Sequence, residues 1–490
     1  MKERHLTIME VSQKQAYIFQ SNELKKNILN SAVIAWIMDA DYLEEKAGDR
    51  RLFHKADNLV YSGGGHIVLE FLTHEQAKEF TKRVTKAIRK EYPGIEVFAT
   101  TIPYEAGKTP AENLKELTKA LEHKKAERRA AFHQGSFGVE KIDTNTLRPI
   151  LCHTAKEAGM PEKEEKTDKS LMAAGYRRVF RFEDLGGTKD QSNFIAVVHI
   201  DGNAMGKRVE KLKQTFGGLD WEAYKEKLRV FSEAIDEDFK AAYRDMSEHV
   251  AEHIRSGSLS KLDLDGNNFP VRRIITAGDD ICFVCEGRIG LECAAAFINK
   301  LGSRKNSVDQ EGYAACAGVA VVHQKYPFYK AHELAEMLCS NAKKYGAALS
   351  SDGFGSDVSA IDWHVEFGEV KDTLEEIRAD YFDADGNSVS GRPYIVRTMQ
   401  PFTGEKTSRS YQKLRGLIGK LQNEENCARG TVKELRNILK LGQNETKYFM
   451  QFRRIEELLK WNLSDDHKML FDAIELIDTF IALEDKGGSN

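Results

Sequence analysis

Residues 274–284 have the sequence Ile274-Ile275-Thr276-Ala277-Gly278-Asp279-Asp280-Ile281-Cys282-Phe283-Val284. Apolar and β-branched residues flank a short turn, and this pattern predicts a β-hairpin with Gly278, Asp279 and Asp280 at its tip. A single aspartate in a turn is explained by hydrogen bonds to its own backbone. Adjacent carboxylates repel each other unless a cation lies between them. The hairpin tip therefore has two interpretations, solvated turn residues or metal ligands.

A second stretch favours metal ligands. The apolar run 194–200 is too short for a helix and predicts a buried strand that ends at Asp201. An acid at a strand end can share a cation with acids on a neighbouring hairpin, and carboxylates suit a hard ion such as Mg²⁺ or Mn²⁺. Two such ions can hold the phosphates of a nucleotide and stabilise departing pyrophosphate. We therefore predict that Asp201, Asp279 and Asp280 are catalytic metal ligands; the alternative is a strand-end turn with solvated acids.

Composition limits the class of protein. The chain has 490 residues, 41% of them hydrophobic and 30% charged, which predicts a soluble globular protein of several domains. The net charge of -4 disfavours a general nucleic-acid binder. No apolar run has the length of a membrane span, and the first residues have no signal-peptide core. The seven scattered cysteines are typical of a reduced cytoplasm, where we expect the protein to be located.

The predicted elements repeat. Residues 1–140 have the order βαββαβ followed by a helix, which is the ferredoxin-like order, and residues 191–375 show it again. We predict two palm domains related by duplication, with hairpin tips at equivalent positions. The first tip is Ser62-Gly63-Gly64-Gly65 and has no acid, and Glu10 is the weak candidate for an acid at its strand end. This difference predicts one chemically competent palm and one that only holds a ligand.

Two further segments complete the predicted α+β fold of two ferredoxin-like palms and a C-terminal helical bundle. Residues 141–190 are predicted as a linker, with a loop at 156–170 because that stretch is rich in Lys and Glu and has no apolar periodicity. Residues 376–490 are predicted as the helical domain. Helical apolar spacing occurs there at 408–421, 431–441, 447–461 and 469–483.

In this order, the motifs resemble the polymerase-cyclase large subunit of type III CRISPR effector complexes, a two-palm family of nucleotidyl cyclases. The motifs are Tyr17–Lys25, Ser62–Gly65, Asp201–Asn203, Ala277–Asp280, Ala317–Val322, Lys330–Glu336 and Gly391–Tyr394. The resemblance implies that two ATP molecules meet between the palms. The 3′-hydroxyl of one attacks the α-phosphate of the other, releases pyrophosphate and yields cyclic oligoadenylate messengers of antiviral defence. It also implies effector subunits and guide or target RNA as partners.

The resemblance also implies nucleotide-binding residues. Ser62, Gly63, Gly64 and Gly65 would hold one nucleotide through exposed backbone N–H groups, since glycine permits close approach. Gly202, Asn203 and Gly278 would lie against the other. Cyclases of the GGDEF type share the palm, and Lys343 lies in a segment similar to their phosphate-contacting lysine. The alternative interpretation is that Lys343 lies in the last turn of a helix, where the helix dipole favours a positive charge.

The chain departs from the family pattern in three ways. No adjacent His-Asp pair occurs, so we expect no nuclease domain. Cys152 has no second cysteine near it, and because tetrahedral zinc needs four ligands we expect no zinc. Ala277 replaces the usual first glycine of the turn, which would cost on the order of 1 kcal/mol if that position needs a positive φ.

Two alternatives remain open from the sequence. The first is a cyclic dinucleotide synthase of a stand-alone defence system, which a product assay with mixed triphosphates would separate from an oligoadenylate synthase. The second is a catalytically idle palm scaffold that binds RNA or protein, and retention of all three aspartates argues against it. Product size, linkage, activating signal and oligomeric state do not follow from the sequence.

Overall fold

The computed structural model describes residues 4–127, 138–139, 141–142, 159–187, 193–366, 368, 371–399, 409–423, 428–455 and 467–483. It confirms the predicted α+β class, with one four-stranded sheet and one six-stranded sheet. No helix in these segments has the length and apolar character needed to cross a lipid bilayer.

The first palm follows the predicted order. Its elements are β1 (His5–Ser12), α1 (Lys14–Ile18), α2 (Leu24–Ile37), α3 (Ala40–Ala47), α4 (Lys55–Asn58), β2 (Leu59–Gly63), β3 (His66–Phe71), α5 (His74–Glu91), β4 (Glu96–Pro103) and α6 (Pro110–Ala126). The strand order is β2-β3-β1-β4 with every pair antiparallel, which is the ferredoxin-like arrangement. Local sequence explains where α6 begins: Thr109 and Glu112 form a reciprocal capping box, and Pro110 occupies the first turn.

The second palm repeats this arrangement and extends it. Its elements are β5 (Phe194–Gly202), α8 (Met205–Phe216), α9 (Trp221–Arg255), β6 (Val271–Ala277), β7 (Asp280–Glu286), α10 (Gly290–Gly302), β8 (Ala315–His323), α11 (Phe328–Leu349) and β9 (Val358–Val365), with 3₁₀ turns at Ser260–Leu262 and Gly287–Ile289. The strand order is β10-β9-β8-β5-β7-β6, where β10 is Tyr394–Thr398. Strands β8, β5, β7 and β6 have the ferredoxin-like order, and β9 joins β8 in parallel after the α11 crossover.

The two palms pack against each other through apolar side chains. Alternate residues of β5 contribute to different cores, because successive strand residues point to opposite faces. Ile195 and Val197 belong to a core that also contains Met9 and Ile18 of the first palm. The long helix α9 contacts both palms, and Trp221 Nε1 at its start donates a hydrogen bond to a Glu70 carboxylate oxygen at 2.7 Å. A shared core therefore joins the first palm to the strand β5 of the second.

The segment predicted as a loop at 156–170 contains a helix, α7 (Glu162–Ser170), so that prediction was wrong. Two features that apolar periodicity does not detect explain the helix. Its surface has Glu–Lys ion pairs four residues apart, Glu162 with Lys166 and Glu165 with Lys169. Its buried face carries Asp168, which is fully buried. That carboxylate forms ion pairs with Arg178 at 2.8 Å, Arg272 at 2.6 Å and Arg273 at 3.2 Å.

The C-terminal region is largely helical, as predicted. It contains α12 (Leu374–Arg378), α13 (Tyr411–Gln422), α14 (Arg429–Leu439), α15 (Gln443–Phe452) and α16 (His467–Leu476). Strand β10 also lies in this region and was not predicted. It pairs with β9, so the region is joined to the sheet of the second palm. The buried Arg392 adds a second connection through ion pairs to Asp472 and Glu475 of α16. The boundaries of the four predicted domains stay predictions.

Candidate functional site

The three aspartates expected to bind metal lie at one end of the second sheet. Antiparallel pairing of β5 and β7 places Asp201 directly opposite Asp280. Side chains at opposed positions lie on the same face, with Cβ atoms about 5 Å apart. Asp279 precedes Asp280 in the hairpin turn. The fold thus brings together residues that are almost 80 positions apart in the sequence, and their metal role stays a prediction.

The turn that presents these acids is formed by Gly278 and Asp279, between the paired residues Ala277 and Asp280. Gly278 has a φ of +64°, whereas Ala277 is outside the left-handed region. Glycine at the first turn position is the requirement of a type II′ hairpin. The strain expected at Ala277 is therefore absent, because the residue that needs a positive φ is already a glycine.

Burial and the repulsion between like charges disfavour the ionised forms of Asp279 and Asp280. Burial, and next the negative charge of Asp201, raise the pKa of Asp279 to about 6 and that of Asp280 to about 7. The Asp280 side chain is nevertheless 39% exposed, so a ligand can reach it from solvent. Clustered acids with raised pKa values are costly to ionise unless a cation lies between them. This is the electrostatic environment that a metal site requires.

Lys343 of α11 is paired with one of the acids. Its Nζ lies 2.6 Å from Asp201 Oδ2 and donates a hydrogen bond to the Gly202 carbonyl at 2.8 Å. The lysine therefore lies beside the carboxylates, at the edge of the cavity described next. Its contact with a phosphate stays a prediction.

A cavity of about 480 Å³, here called the β5 cavity, opens beside Asp201 and Asp279. Its wall includes the start of α8, where Met205, Gly206 and Lys207 follow the left-handed Ala204. The first backbone N–H groups of a helix have no partner within the helix, and helix N-termini bind phosphate for this reason. The sequence reasoning missed this helix end. A glycine and a lysine after a strand-end acid are the signal that could have found it.

A larger cavity of about 800 Å³, the inter-palm cavity, lies between the two hairpin tips. The first palm contributes the predicted Ser62–Gly65 segment, and the second contributes Gly278 and Asp280. Four basic side chains also line it: Lys14, Arg229, Lys240 and Arg273. None of these four was predicted. Lys14 donates a hydrogen bond to the Gly64 carbonyl, and Ser232 Oγ donates one to the Ser62 carbonyl at 3.1 Å.

The first hairpin tip corresponds to the second, residue by residue. Glu10 pairs with His66 across β1 and β3 as Asp201 pairs with Asp280 across β5 and β7. Glu10 is thus the strand-end acid of the first palm, but an ion pair with Lys125 at 2.8 Å occupies it. Desolvation lowers the pKa of His66 and favours its neutral form. The first tip therefore presents no free pair of acids, in agreement with the predicted asymmetry.

Gly202 and Asn203 have mainly structural contacts. A Cβ on Gly202 would lie 2.9 Å from the Asp279 Cβ, so glycine allows the hairpin tip to pack against β5. The buried Asn203 side chain donates hydrogen bonds to the carbonyls of Gly355 at 3.0 Å and Val358 at 2.8 Å. Its amide nitrogen faces the chain and not a cavity, so this geometry does not support the predicted side-chain contact with nucleotide.

The cysteines of the second palm lie in its cores. Cys282 and Cys285 are fully buried in the cores on opposite faces of the sheet, which excludes a shared metal ion for this pair. Cys152, on which the expectation of no zinc rests, lies outside the described residues.

Residues 194–348 match the protein-family model described as the second palm domain of Cas10/Cmr2. This segment is similar to the second palm domain of Cas10/Cmr2. The match covers β5 through nearly all of α11 and includes Asp201, Asp279, Asp280 and Lys343. It confirms the family resemblance stated from the sequence motifs.

Solved structures share the fold of the Cas10/Cmr2 palm and of the rest of the chain. Csm1 in T.onnurineus matches with a TM-score of 0.57 at 15% identity, over 98% of this chain and 70% of Csm1. A Csm1-Csm4 cassette in complex with cA3 matches with a TM-score of 0.55 at 15% identity, over 98% and 70%. The cassette in complex with one ATP gives 0.56 at 13% identity, over 98% and 70%. Such low identity shows the fold alone. No curated protein matches the sequence.

Proposed function

We propose that this protein is a metal-dependent nucleotidyltransferase that joins ATP molecules into cyclic oligoadenylates and releases pyrophosphate. The observation that carries the proposal is the position of Asp201, Asp279 and Asp280 between two cavities. Asp201 and Asp279 line the β5 cavity, and Asp280 lines the inter-palm cavity. An acceptor and a donor nucleotide bound in these cavities would meet at the acids.

The acids fit Mg²⁺ or Mn²⁺. Their oxygens are hard ligands, the pKa values of Asp279 and Asp280 are raised, and a buried Asp280 oxygen, Oδ1, has no hydrogen-bond partner. In the described part of the chain the three carboxylates do not form one tight ligand set within 4.8 Å. Phosphate oxygens of the nucleotide are therefore needed to complete the coordination. The bound ions would activate the attacking hydroxyl and stabilise the leaving pyrophosphate.

The chain's own residues would position the two nucleotides. In the β5 cavity, the N-terminus of α8 and the ammonium groups of Lys207 and Lys343 provide positive potential for a triphosphate. In the inter-palm cavity, Ser62–Gly65 exposes backbone close to Asp280. In this arrangement, the 3′-hydroxyl oxygen of the acceptor forms a bond to the α-phosphorus of the donor while the bond to pyrophosphate breaks. Holding both groups in line can supply much of the rate enhancement.

The similar structures support the same chemistry and a set of partners. They include Csm1-Csm4 cassettes in complex with cA3, cA4, pppApApA and ATP, and a Csm1-Csm4 subcomplex in the type III-A CRISPR-Csm interference complex. We extend these ligands to this chain as a proposal, together with a Csm4-like subunit and guide or target RNA as partners. Co-purification of a tagged chain with products of neighbouring genes, before and after nuclease treatment, tests the assembly.

Product analysis tests the reaction. The chain is incubated with ATP alone and with mixed triphosphates in Mg²⁺, and pyrophosphate and nucleotide products are measured by mass spectrometry. We expect cyclic adenylates from the parent and none from Asp279→Asn/Asp280→Asn. The matched control is Asp372→Asn, an acid whose side chain is 75% exposed. Equal pyrophosphate release from the parent and the double variant would contradict the site. Mixed cyclic dinucleotides would establish the stand-alone cyclase instead, and nucleotide binding without turnover in the assembled complex would establish the idle scaffold.

A further inference from the structure

A second group of metal-ligating side chains lies beneath the active-site acids. His199 is on β5, and His332 and Glu336 are on α11, one helical turn apart. One potential ligand atom from each residue lies within 4.8 Å of the others. Among the described residues, this is the only set of three histidine, cysteine or acidic side chains that meets this criterion.

Both histidines have an unpartnered nitrogen in the interior. His199 is 7% exposed and His332 is 2% exposed, and neither Nδ1 of His199 nor Nε2 of His332 has a hydrogen-bond partner. A buried polar atom without a partner destabilises the fold. Two such atoms in one cluster indicate a missing ligand. Desolvation also lowers the pKa of His332, which favours the neutral imidazole that binds metals.

The spacing at the edge of the cluster fits ligands of one ion better than a hydrogen bond. His199 Nδ1 lies 3.6 Å from Asp280 Oδ1, and both atoms lack hydrogen-bond partners. This distance exceeds the usual range for a hydrogen bond between nitrogen and oxygen. Neighbouring ligands of a tetrahedral ion with bonds near 2.1 Å are about 3.4 Å apart. Asp280 is therefore placed to serve as a fourth ligand or to connect the cluster with the catalytic acids.

The first palm covers the cluster. The Phe19 ring stacks on the His332 imidazole with centroids 3.8 Å apart. Gln15 of α1 donates a hydrogen bond to Glu336, whose side chain is 29% exposed. An ion can therefore enter along Glu336 without disrupting the packed side of His332. Once bound, the ion would connect β5 and α11 directly below the contact between the palms.

We propose that His199, His332 and Glu336 bind a divalent transition-metal ion, with zinc as the ion that best suits these ligands. Two imidazoles and a carboxylate are the donor set of zinc and related ions, while Mg²⁺ prefers oxygen ligands and waters. This proposal departs from the expectation of no zinc, which rested on the lack of a second cysteine near Cys152 and did not consider His199, His332 and Glu336. The proposal does not depend on the proposed reaction, because its three ligands His199, His332 and Glu336 are not among the three aspartates and suit a different class of metal.

The test measures metal binding with two of the three aspartates removed and Asp280 kept, because Asp280 lies beside the cluster. The full chain carries Asp201→Asn and Asp279→Asn, is stripped with a chelator, and is titrated with Co²⁺ while its visible absorption is recorded. Zn²⁺ is then added as a competitor. We expect one Co²⁺ per chain in a low-symmetry site without a thiolate charge-transfer band, displaced by Zn²⁺. Bound Zn²⁺ should also raise the melting temperature, because it binds the folded state.

Three variants in this background assign the ligands. Glu336→Gln and His332→Gln should each weaken Co²⁺ binding at least tenfold, since losing even an outer-shell partner commonly costs 10–100-fold. The matched control is Glu333→Gln, which replaces a 53% exposed acid of the same helix and should bind as the parent does. Glu336→Gln is nearly isosteric and replaces a side chain that is 29% exposed, so it decides the question if His332→Gln does not fold. Three outcomes would each overturn the proposal: no Co²⁺ binding to the Asp201→Asn/Asp279→Asn chain, a thiolate charge-transfer band in its spectrum, or the same Co²⁺ affinity after Glu336→Gln.

Discussion

The raised pKa values of Asp279 and Asp280 predict that these two acids destabilise the fold in the absence of a cation. The change to test is Asp279→Asn/Asp280→Asn, which keeps side-chain shape and removes both charges. Below about pH 3, roughly one unit under the unfolded pKa of 3.8, the carboxyls are protonated in the folded and the unfolded chain, so the variant and the parent should be equally stable. As the pH rises from about 3 to 7, the unfolded chain ionises freely while the folded site retains its protons. The parent therefore loses stability with rising pH, and the variant does not.

The size of the effect follows from the pKa values and from solvent exposure. A rise from 3.8 to about 6 or 7 corresponds to about 3–4 kcal/mol for each group if no solvent screens it. The Asp280 side chain is 39% exposed, and screening reduces the effect to about 1–2 kcal/mol for the pair. For a domain of the size of the second palm, we expect the variant to melt about 2–6 °C above the parent at pH 8.

Scanning calorimetry of the full chain in chelator, at pH 4.5 and at pH 8, measures this difference. Added Mg²⁺ should raise the melting temperature of the parent at pH 8 and leave that of the variant unchanged. Asp372→Asn serves as the control and should melt like the parent at both pH values, with the same rise on addition of Mg²⁺. If the double variant melts at or below the parent at pH 8, the acids are not under electrostatic strain and the argument for a cation between them fails.

Three further predictions address other parts of the fold. In calorimetry with a non-hydrolysable ATP analogue, Gly64→Val should reduce two binding events to one, because φ is +58° at Gly64 and a valine side chain blocks the approach of the nucleotide to the backbone. The control Gly107→Val, at a position with open space around it, should retain both binding events. Normal turnover by Gly64→Val would instead indicate that the functional unit is a dimer of second palms. Lys343→Met should weaken binding of the analogue about tenfold or more, because it removes a charged partner of the phosphate. The control Lys344→Met, at the exposed neighbouring position, should not weaken binding. Equal affinities of the Lys343→Met variant and the parent for the analogue would exclude a phosphate role for Lys343. Asp168→Asn should lower the free energy of unfolding by about 3–5 kcal/mol in denaturant titrations at pH 7, since it leaves buried arginines unpaired. The pKa of Asp168 is lowered from 3.8 to about 2, so this stabilisation is fully present above pH 3.8 and is lost as the pH falls toward 2. If the parent were still more stable than Asp168→Asn by the same free energy at pH 2, the ion pairs of Asp168 would not be the cause.

The sequence predicted those parts of the site that lie on continuous, strongly patterned segments. The hairpin with Asp279 and Asp280, the strand ending at Asp201 and the duplicated ferredoxin-like order all depend on local periodicity and turn chemistry. The same reasoning located the Ser62–Gly65 tip, which the structure places across a cavity from the acids. In these segments, local preference and tertiary structure agree.

The missed residues depend on contacts between distant segments. Lys14 and Arg229 line the inter-palm cavity only because α1 and α9 pack beside β2, and nothing near either residue in the sequence indicates this. Helix α7 was missed because its buried face holds Asp168 among arginines instead of apolar side chains. His199 appears as an ordinary residue of a buried strand until α11 is placed over it. The pattern of a single sequence does not show which distant segments come into contact.

The turn of the first palm limits how this duplicated architecture can be redesigned. Replacing Gly65 and His66 by aspartates would copy the acidic pair of the second tip into the first. The turn does not accept this change, because Gly64 and Gly65 both have positive φ and a Cβ on Gly65 would lie 2.6 Å from Lys14 Cδ. The two tips therefore differ in their backbone conformation and not only in their side chains. An engineer seeking a symmetric protein with two equivalent metal centres would have to rebuild the turn and relocate Lys14.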